Sequence, residues 1–171
     1  MSGTDILMSA GNRIPKNLQA IIFDFDGVFT DNRVIVNEDG KESVICNRSD
    51  GIGISAMKKK GIPLLVLSKE KNPVVKKRCD KLGIPCIQGI EDKWSCLSRW
   101  LKNLEFDPKN VIYVGNDIND IECLRSVGCG VAVADAYDEV KKSATIILTN
   151  CGGHGAVREL CDLVISGYGH G

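Results

Sequence analysis

Five short apolar runs recur along the chain, at 20–25, 62–67, 111–114, 130–133 and 145–148. Runs of this length, rich in Ile, Val and Phe and bounded by turn formers, are the pattern of strands buried on both faces. Between them, 51–60, 73–82, 93–104, 118–126, 137–142 and 155–165 read as helices. Strand and helix in alternation predict an α/β fold, a doubly wound Rossmann-like parallel sheet with helices on both faces. One stretch breaks the alternation. Residues 33–46, RVIVNEDGKESVIC, hold two β-rich runs around Asn37-Glu38-Asp39-Gly40, which predicts a hairpin. Placed directly after the first strand, it would overhang that strand's carboxyl end. The pattern gives one domain over 18–166, a flexible extension over 1–17 and a flexible tail over 167–171.

Composition narrows the class of partner. The chain has 171 residues, 43% hydrophobic and 26% charged, with 22 Lys plus Arg balanced by 22 Asp plus Glu. That is enough chain for a core, and the balance removes the basic field that would gather nucleic acid or an anionic membrane. The N-terminal residues lack the layout of a secretory signal and no apolar run reaches spanning length, so a cytoplasmic protein is expected. Eight cysteines include no C-x-x-C pair. Reduced, mostly buried thiols are expected rather than a disulfide framework. Cys151 and His154 lack the second pair of ligands that a structural zinc site needs.

In open parallel sheets, ligands bind beyond the carboxyl ends of the strands, so candidate chemistry is sought where each apolar run stops. The first run ends in Asp24-Phe25-Asp26-Gly27, with Thr30 and Asp31 following. Strand alternation would put Asp24 and Asp26 on one side, where two carboxylates repel unless a cation or shared proton intervenes. The second run ends in Ser68, Lys93 follows a Gly89-Ile90-Glu91-Asp92 turn, and the run at 111–114 ends in Gly115-Asn116-Asp117-Ile118-Asn119-Asp120. Taken singly, Ser68, Asp117 and Asp120 read as helix caps and Lys93 as a solvated first-turn residue. Four polar clusters in this order at strand ends make a site.

The same clusters resemble the haloacid dehalogenase (HAD) superfamily over residues 19–166. Asp24 to Thr30 is similar to its first motif, Ser68 to the second, Lys93 to the third and Gly115 to Asp120 to the fourth. The hairpin in place of a cap domain, SDGIGI at 49–54 and GGHGAVRE at 152–159 resemble the 3-deoxy-manno-octulosonate 8-phosphate (KDO 8-phosphate) phosphatase group. That group includes phosphatases of nine-carbon sialic-type acid 9-phosphates and a domain fused to CMP-sialic acid synthetases. The resemblance implies a magnesium-dependent phosphatase acting on a small phosphorylated sugar acid. Asp24 would be the nucleophile and Asp26 the general acid and base, with Ser68 and Lys93 holding the phosphoryl oxygens. Magnesium, which prefers oxygen donors, would lie between Asp24, Asp26 and either Asn116 or Asp117. Thr30, Lys69, Glu70, Arg78 and Lys81 would meet the substrate. The glycines Gly152 and Gly153 would form a backbone cradle for an anion. A homotetramer is implied, with the hairpin touching a neighbour.

Two positions depart from the family pattern. The fourth motif usually opens Gly-Asp; here the second place is Asn116, whose amide can coordinate but brings no charge. The synthetase-fused domains show a similar Gly-Asn, so a weakly active oligomerisation module is the alternative function. The octulosonate enzymes often follow the motif II hydroxyl with Gly-Arg, whereas this chain has Lys69-Glu70. With Arg78 and Lys81 three residues apart on one helix, it is closer to the nine-carbon members, where such a pair could grip a sugar carboxylate.

Overall fold

A computed structural model describes residues 13–167. Six strands form one parallel sheet: β1 (Ala20–Phe23), β4 (Leu64–Leu67), β5 (Cys86–Ile87), β6 (Val111–Gly115), β7 (Cys129–Ala132) and β8 (Ile146–Ile147). Their order is β5-β4-β1-β6-β7-β8, so β1 lies in the middle, paired with β4 at Ile22–Leu65 and with β6 at Ile22–Tyr113. Every side chain of β1, β4 and β6 is buried, which is why these strands read as unbroken apolar runs rather than alternating ones.

The helices are α1 (Ser49–Lys59), α2 (Pro73–Leu82), α3 (Lys93–Asn103), α4 (Ile121–Ser126), α5 (Asp138–Ser143) and α6 (Ala156–Gly167). Helix α2 starts with Pro73 in its first turn and Asn72 as cap, accepting from the Val74 N–H, and stops at left-handed Gly83. Helix α3 is capped by Asp92, which accepts from the Ser95 N–H. The stretch expected as a helix over 118–126 divides into a 3₁₀ turn, Ile118–Asp120, and α4. Asp120 bonding back to the Asn116 and Asp117 N–H groups tightens that first turn.

Strand β5 was not legible. It has two residues between Pro85 and Gly89, too few for any period to show. The hairpin forms as expected but short: β2 (Ile35–Val36) pairs with β3 (Glu42–Ser43), and the turn closes through Asn37 N–H to the Lys41 carbonyl at 2.9 Å. Val34, Ile35, Val36 and Ile45 stand exposed on it.

Residues 1–12 and 168–171, most of the two expected flexible ends, lie outside the described residues. The inner part of the N-terminal extension corrects that expectation. Ile14 is buried in the core and the Arg13 guanidinium donates to the Thr145 carbonyl at 2.8 Å, which ties the segment beside β8. Helix α6 likewise runs on to Gly167. Among the described residues, no helix is long and apolar enough to cross a membrane.

Candidate active site

Strand β1 stops at Phe23 because the chain turns there. The Asp24 N–H still donates to Val114 of β6, but the Val28 and Phe29 N–H groups fold back onto the Phe25 carbonyl. Phe25 and Phe29 enter the core and stack at 5.8 Å, which locks the turn and leaves the Asp24 and Asp26 carboxylates facing out of the sheet. They line a cleft of about 200 Å³ together with Ser68, Lys69, Glu70, Lys93 and Asn119. Strand alternation therefore put the two acids together for the wrong reason: a turn, not a continued strand, does it.

At the floor of the cleft lies a buried ion network. The Lys93 ammonium, 3% exposed, touches Asp24 Oδ1 at 2.8 Å and Asp120 Oδ1 at 2.7 Å. Asp120, fully buried, also accepts from the Tyr113 hydroxyl at 2.7 Å, and its Oδ2 takes the Asn116 and Asp117 N–H groups. Burial, then the nearby Asp120 carboxylate, push Asp24 well above the ordinary carboxylate range, and Lys93 only partly offsets them. For Lys93 burial opposes the charge, yet Asp24 and Asp120 together raise its pKa. The carboxylate that presses on Asp24 is thus Asp120, not Asp26 as expected. Asp26 is raised by burial first and then by Glu70.

Asp120 was read as a cap; its role as the anchor of Lys93 was missed. Its place three residues after Asp117 gave no sign that it would reach a lysine 27 residues away. Asn119, which also lines the cleft, had no assigned role.

Ser68 is buried, its hydroxyl accepting from the Glu70 N–H at 3.0 Å. Glu70 turns its Oε1 back onto the Lys71 and Asn72 N–H groups, and Lys69 pairs with Glu91 at 3.1 Å. The hairpin reaches this wall, with Glu42 Oε2 accepting from the Asn72 side chain at 2.9 Å.

The remaining expected site residues lie elsewhere. Thr30 is fully buried behind the Asp26 loop, where its Oγ1 accepts from the Gly27 and Asn32 N–H groups. It shapes the loop rather than facing the cleft. The cradle expected at Gly152 and Gly153 is not formed, because their N–H groups are already engaged by Asp135 Oδ1 at 2.9 Å and the Val28 carbonyl at 3.0 Å. Glycine is needed there for contact: a Cβ on Gly152 would come 1.9 Å from the Gly27 carbonyl oxygen. Arg78 and Lys81 do share a face of α2, but they line a second groove of about 610 Å³ with Arg48 and Lys58. The Arg78 guanidinium donates to the Asn47 carbonyl at 2.8 Å, and its buried Nε has no partner.

The donor set suits a hard cation. The buried Asn116 Oδ1 makes no hydrogen bond, and its amide lies so close to Gly27 that a Cβ there would come 1.9 Å from Nδ2. A buried amide oxygen without a donor is costly unless an ion or water completes it. It belongs to the same strand-end cluster as the Asp24 carboxylate, in a site otherwise overloaded with negative oxygen. Asp117, by contrast, spends its Oδ1 on the Ile118 N–H at 2.6 Å as the cap of the 3₁₀ turn.

A strand-end carboxylate backed by a buried lysine, with a hydroxyl and a second acid across the cleft, on a doubly wound parallel sheet, defines a phosphoryl-transfer site. The comparisons agree. The haloacid dehalogenase-like hydrolase family matches residues 87–160. The 3-deoxy-D-manno-octulosonate 8-phosphate phosphatase of Escherichia coli K12 is 36% identical over 155 residues, covering 90% of this chain and 82% of that protein. Among solved structures, a HAD family hydrolase of Streptomyces avermitilis superposes with a TM-score of 0.86 at 43% identity, covering 89% of this chain and 87% of that one. The Moraxella catarrhalis 3-deoxy-D-manno-octulosonate 8-phosphate phosphatase, solved with magnesium, phosphate and KDO, gives 0.87 at 30% identity over 97% and 93%. The chain belongs to the HAD hydrolases, in the KDO-8-phosphate phosphatase-like group, and is a phosphatase.

Proposed function

We propose that this phosphatase hydrolyses the phosphate ester of a 3-deoxy-2-ulosonic acid through a phosphorylated Asp24, with magnesium as cofactor. The observation that carries the reading is the Lys93 bridge between Asp24 and Asp120 at the floor of the cleft. With Oδ1 held by Lys93 and by the Phe25 N–H at 2.7 Å, Asp24 attacks phosphorus through Oδ2. Asp26, whose carboxyl is held protonated more readily by burial and by Glu70, donates to the leaving oxygen and then takes a proton from the water that cleaves the intermediate. Ser68 and Lys69 orient the phosphoryl oxygens while Lys93 offsets their charge. Magnesium, when bound, withdraws charge from the phosphoryl oxygens. Asp24, the Asp26 main-chain carbonyl and Asn116 would hold it, Asn116 being preferred to Asp117 because its Oδ1 lacks a donor.

The identity to octulosonate enzymes supports the substrate class. Within it, Glu70, Arg78 and Lys81 favour a nine-carbon N-acylneuraminate or KDN 9-phosphate over KDO 8-phosphate, the basic groove taking the sugar carboxylate at a distance from the phosphate. The exposed apolar hairpin supports the homotetramer, and the cytoplasmic setting belongs to the same reading. The test is phosphate release from the three sugar-acid phosphates with magnesium or with EDTA. Release that requires magnesium, disappears in Asp24→Asn and is fastest for a nine-carbon acid is expected. No release from any of them would reject the reading in favour of an oligomerisation module.

A further inference from the structure

A ring of backbone closes behind Asn116, and an exposed acid outside the cleft, Asp135, holds it shut. Beyond β7 the chain turns over 133–137. The Val133 N–H donates to the Gly115 carbonyl at 3.4 Å and the Tyr137 N–H to the Asn116 carbonyl at 3.1 Å, so both ends of the turn are tied to the end of β6. Between them, Asp135 Oδ1 accepts from the Gly152 N–H at 2.9 Å and the Ala134 N–H donates to the Asn150 carbonyl at 3.1 Å. Gly152 in turn lies flat on the Asp26 loop, where a Cβ would fall 1.9 Å from the Gly27 carbonyl oxygen and 2.9 Å from that of Thr30. The ring ends where it began. Gly27, left-handed at φ +75°, packs so tightly on Asn116 that a Cβ would meet its Cγ at 2.5 Å.

An amide at 116 needs this support more than a carboxylate would. A carboxylate offers a cation two equivalent oxygens, whereas an amide offers one, and a half-turn of its plane replaces that oxygen with a repelling NH₂ group. We infer that Asp135 is a positioning residue for magnesium binding. By holding Gly152 on the Gly27 carbonyl, it keeps Gly27 against the Asn116 amide and the donor-free Oδ1 turned one way. The inference rests on Asn116 being a magnesium donor. What Asp135 supplies is an acceptor rather than a charge: among the described residues its side chain makes the one bond to Gly152, and no cation pairs with it.

Calorimetric titration of the full chain with magnesium, without substrate, tests this, together with phosphate release measured against magnesium concentration. Asp135→Ala removes the acceptor and should weaken magnesium binding by about tenfold, as expected when a group that orients a metal ligand is lost. Its rate at saturating magnesium should return to that of the wild type, since the ion then restores the orientation. Asp135→Asn keeps an oxygen in place without the charge and should bind magnesium as the wild type does. Asp135→Glu keeps the charge but carries the oxygen one methylene further, and should behave as the alanine variant; this pair decides the question should Asp135→Ala fail to fold. Magnesium binding unchanged in Asp135→Ala and Asp135→Glu would overturn the inference. So would an Asp135→Asn chain as weak as Asp135→Glu, since the charge would then act on the ion directly, or a lower rate at saturating magnesium with an unchanged requirement, which would put the effect on Asp26. A wild-type chain that binds no magnesium would overturn the reading of Asn116 itself and the inference with it.

Discussion

Replacing Lys93 by methionine keeps the length of the side chain and removes its charge. The change falls on three groups that are almost wholly out of water: Lys93 is 3% exposed, Asp24 5% and Asp120 0%. Removing one member of a buried ion network leaves the others uncompensated, at a cost of about 3–5 kcal/mol. With a urea slope of about 2 kcal/mol/M, the unfolding midpoint should drop by about 1.5–2.5 M. The loss should depend on pH, with a defined sign. Burial and Asp120 already hold Asp24 above the ordinary range, and without Lys93 it rises further. A carboxyl raised on folding favours the folded state while protonated, so the penalty is full at high pH and is relieved as pH falls through the raised value. Urea unfolding in EDTA at pH 8 and pH 5.5 should show the larger loss at pH 8. Adding Asp120→Asn should recover much of the stability but none of the phosphate release, because the phosphoryl group would still lack its buried cation. A single variant within about 1 kcal/mol of the parent at both pH values would refute the reasoning.

Three further outcomes follow from particular contacts. Asp50, fully buried at the start of α1, accepts from the Arg158 N–H at 3.2 Å while its Oδ2 has no partner, and burial lifts its carboxyl to about 6. Its protonated form is the one folding favours, so stability should fall by about 1–3 kcal/mol as pH rises from about 4 to about 6; Asp50→Asn should remove that slope in urea titrations. Asn116→Asp adds a carboxylate beside Asp24 and Asp120, so it should lower the melting temperature in EDTA and reduce the magnesium concentration for half-maximal phosphate release by about tenfold. Gly152→Ala drives a methyl group into the Gly27 carbonyl and should cost about 1–3 kcal/mol in urea unfolding, with phosphate release reduced through the displaced Asp26 loop.

What could be read along the chain was what depends on neighbours in sequence. The central strands announce themselves because burial on both faces leaves no polar position to interrupt the run. Helix α2 carries its own start in Asn72-Pro73 and its own stop in Gly83, and its expected bounds coincide with the observed ones. The order of strands and helices in turn fixes which residues lie at or just beyond carboxyl strand ends, so the sequence alone brings Asp24, Asp26, Ser68 and Lys93 to one cleft.

Tertiary structure decided everything that joins residues far apart. Lys93 was legible as a site residue, but its second partner, Asp120, became one only when α3 packed beside α4 and the 3₁₀ turn that precedes it. Arg78 and Lys81 were paired correctly by helical spacing, yet which groove they enter depends on how α2 lies against α1. Thr30 and the glycines at 152 and 153 carried the right residue types for binding, and packing gave them to the loop behind Asp24 instead. Periodicity reports whether a side chain is buried, since burial is a property of one residue and its local period. It carries no account of which distant group shares the buried space, and in this protein that neighbour raises the Asp24 carboxyl and leaves the Asn116 Oδ1 without a donor.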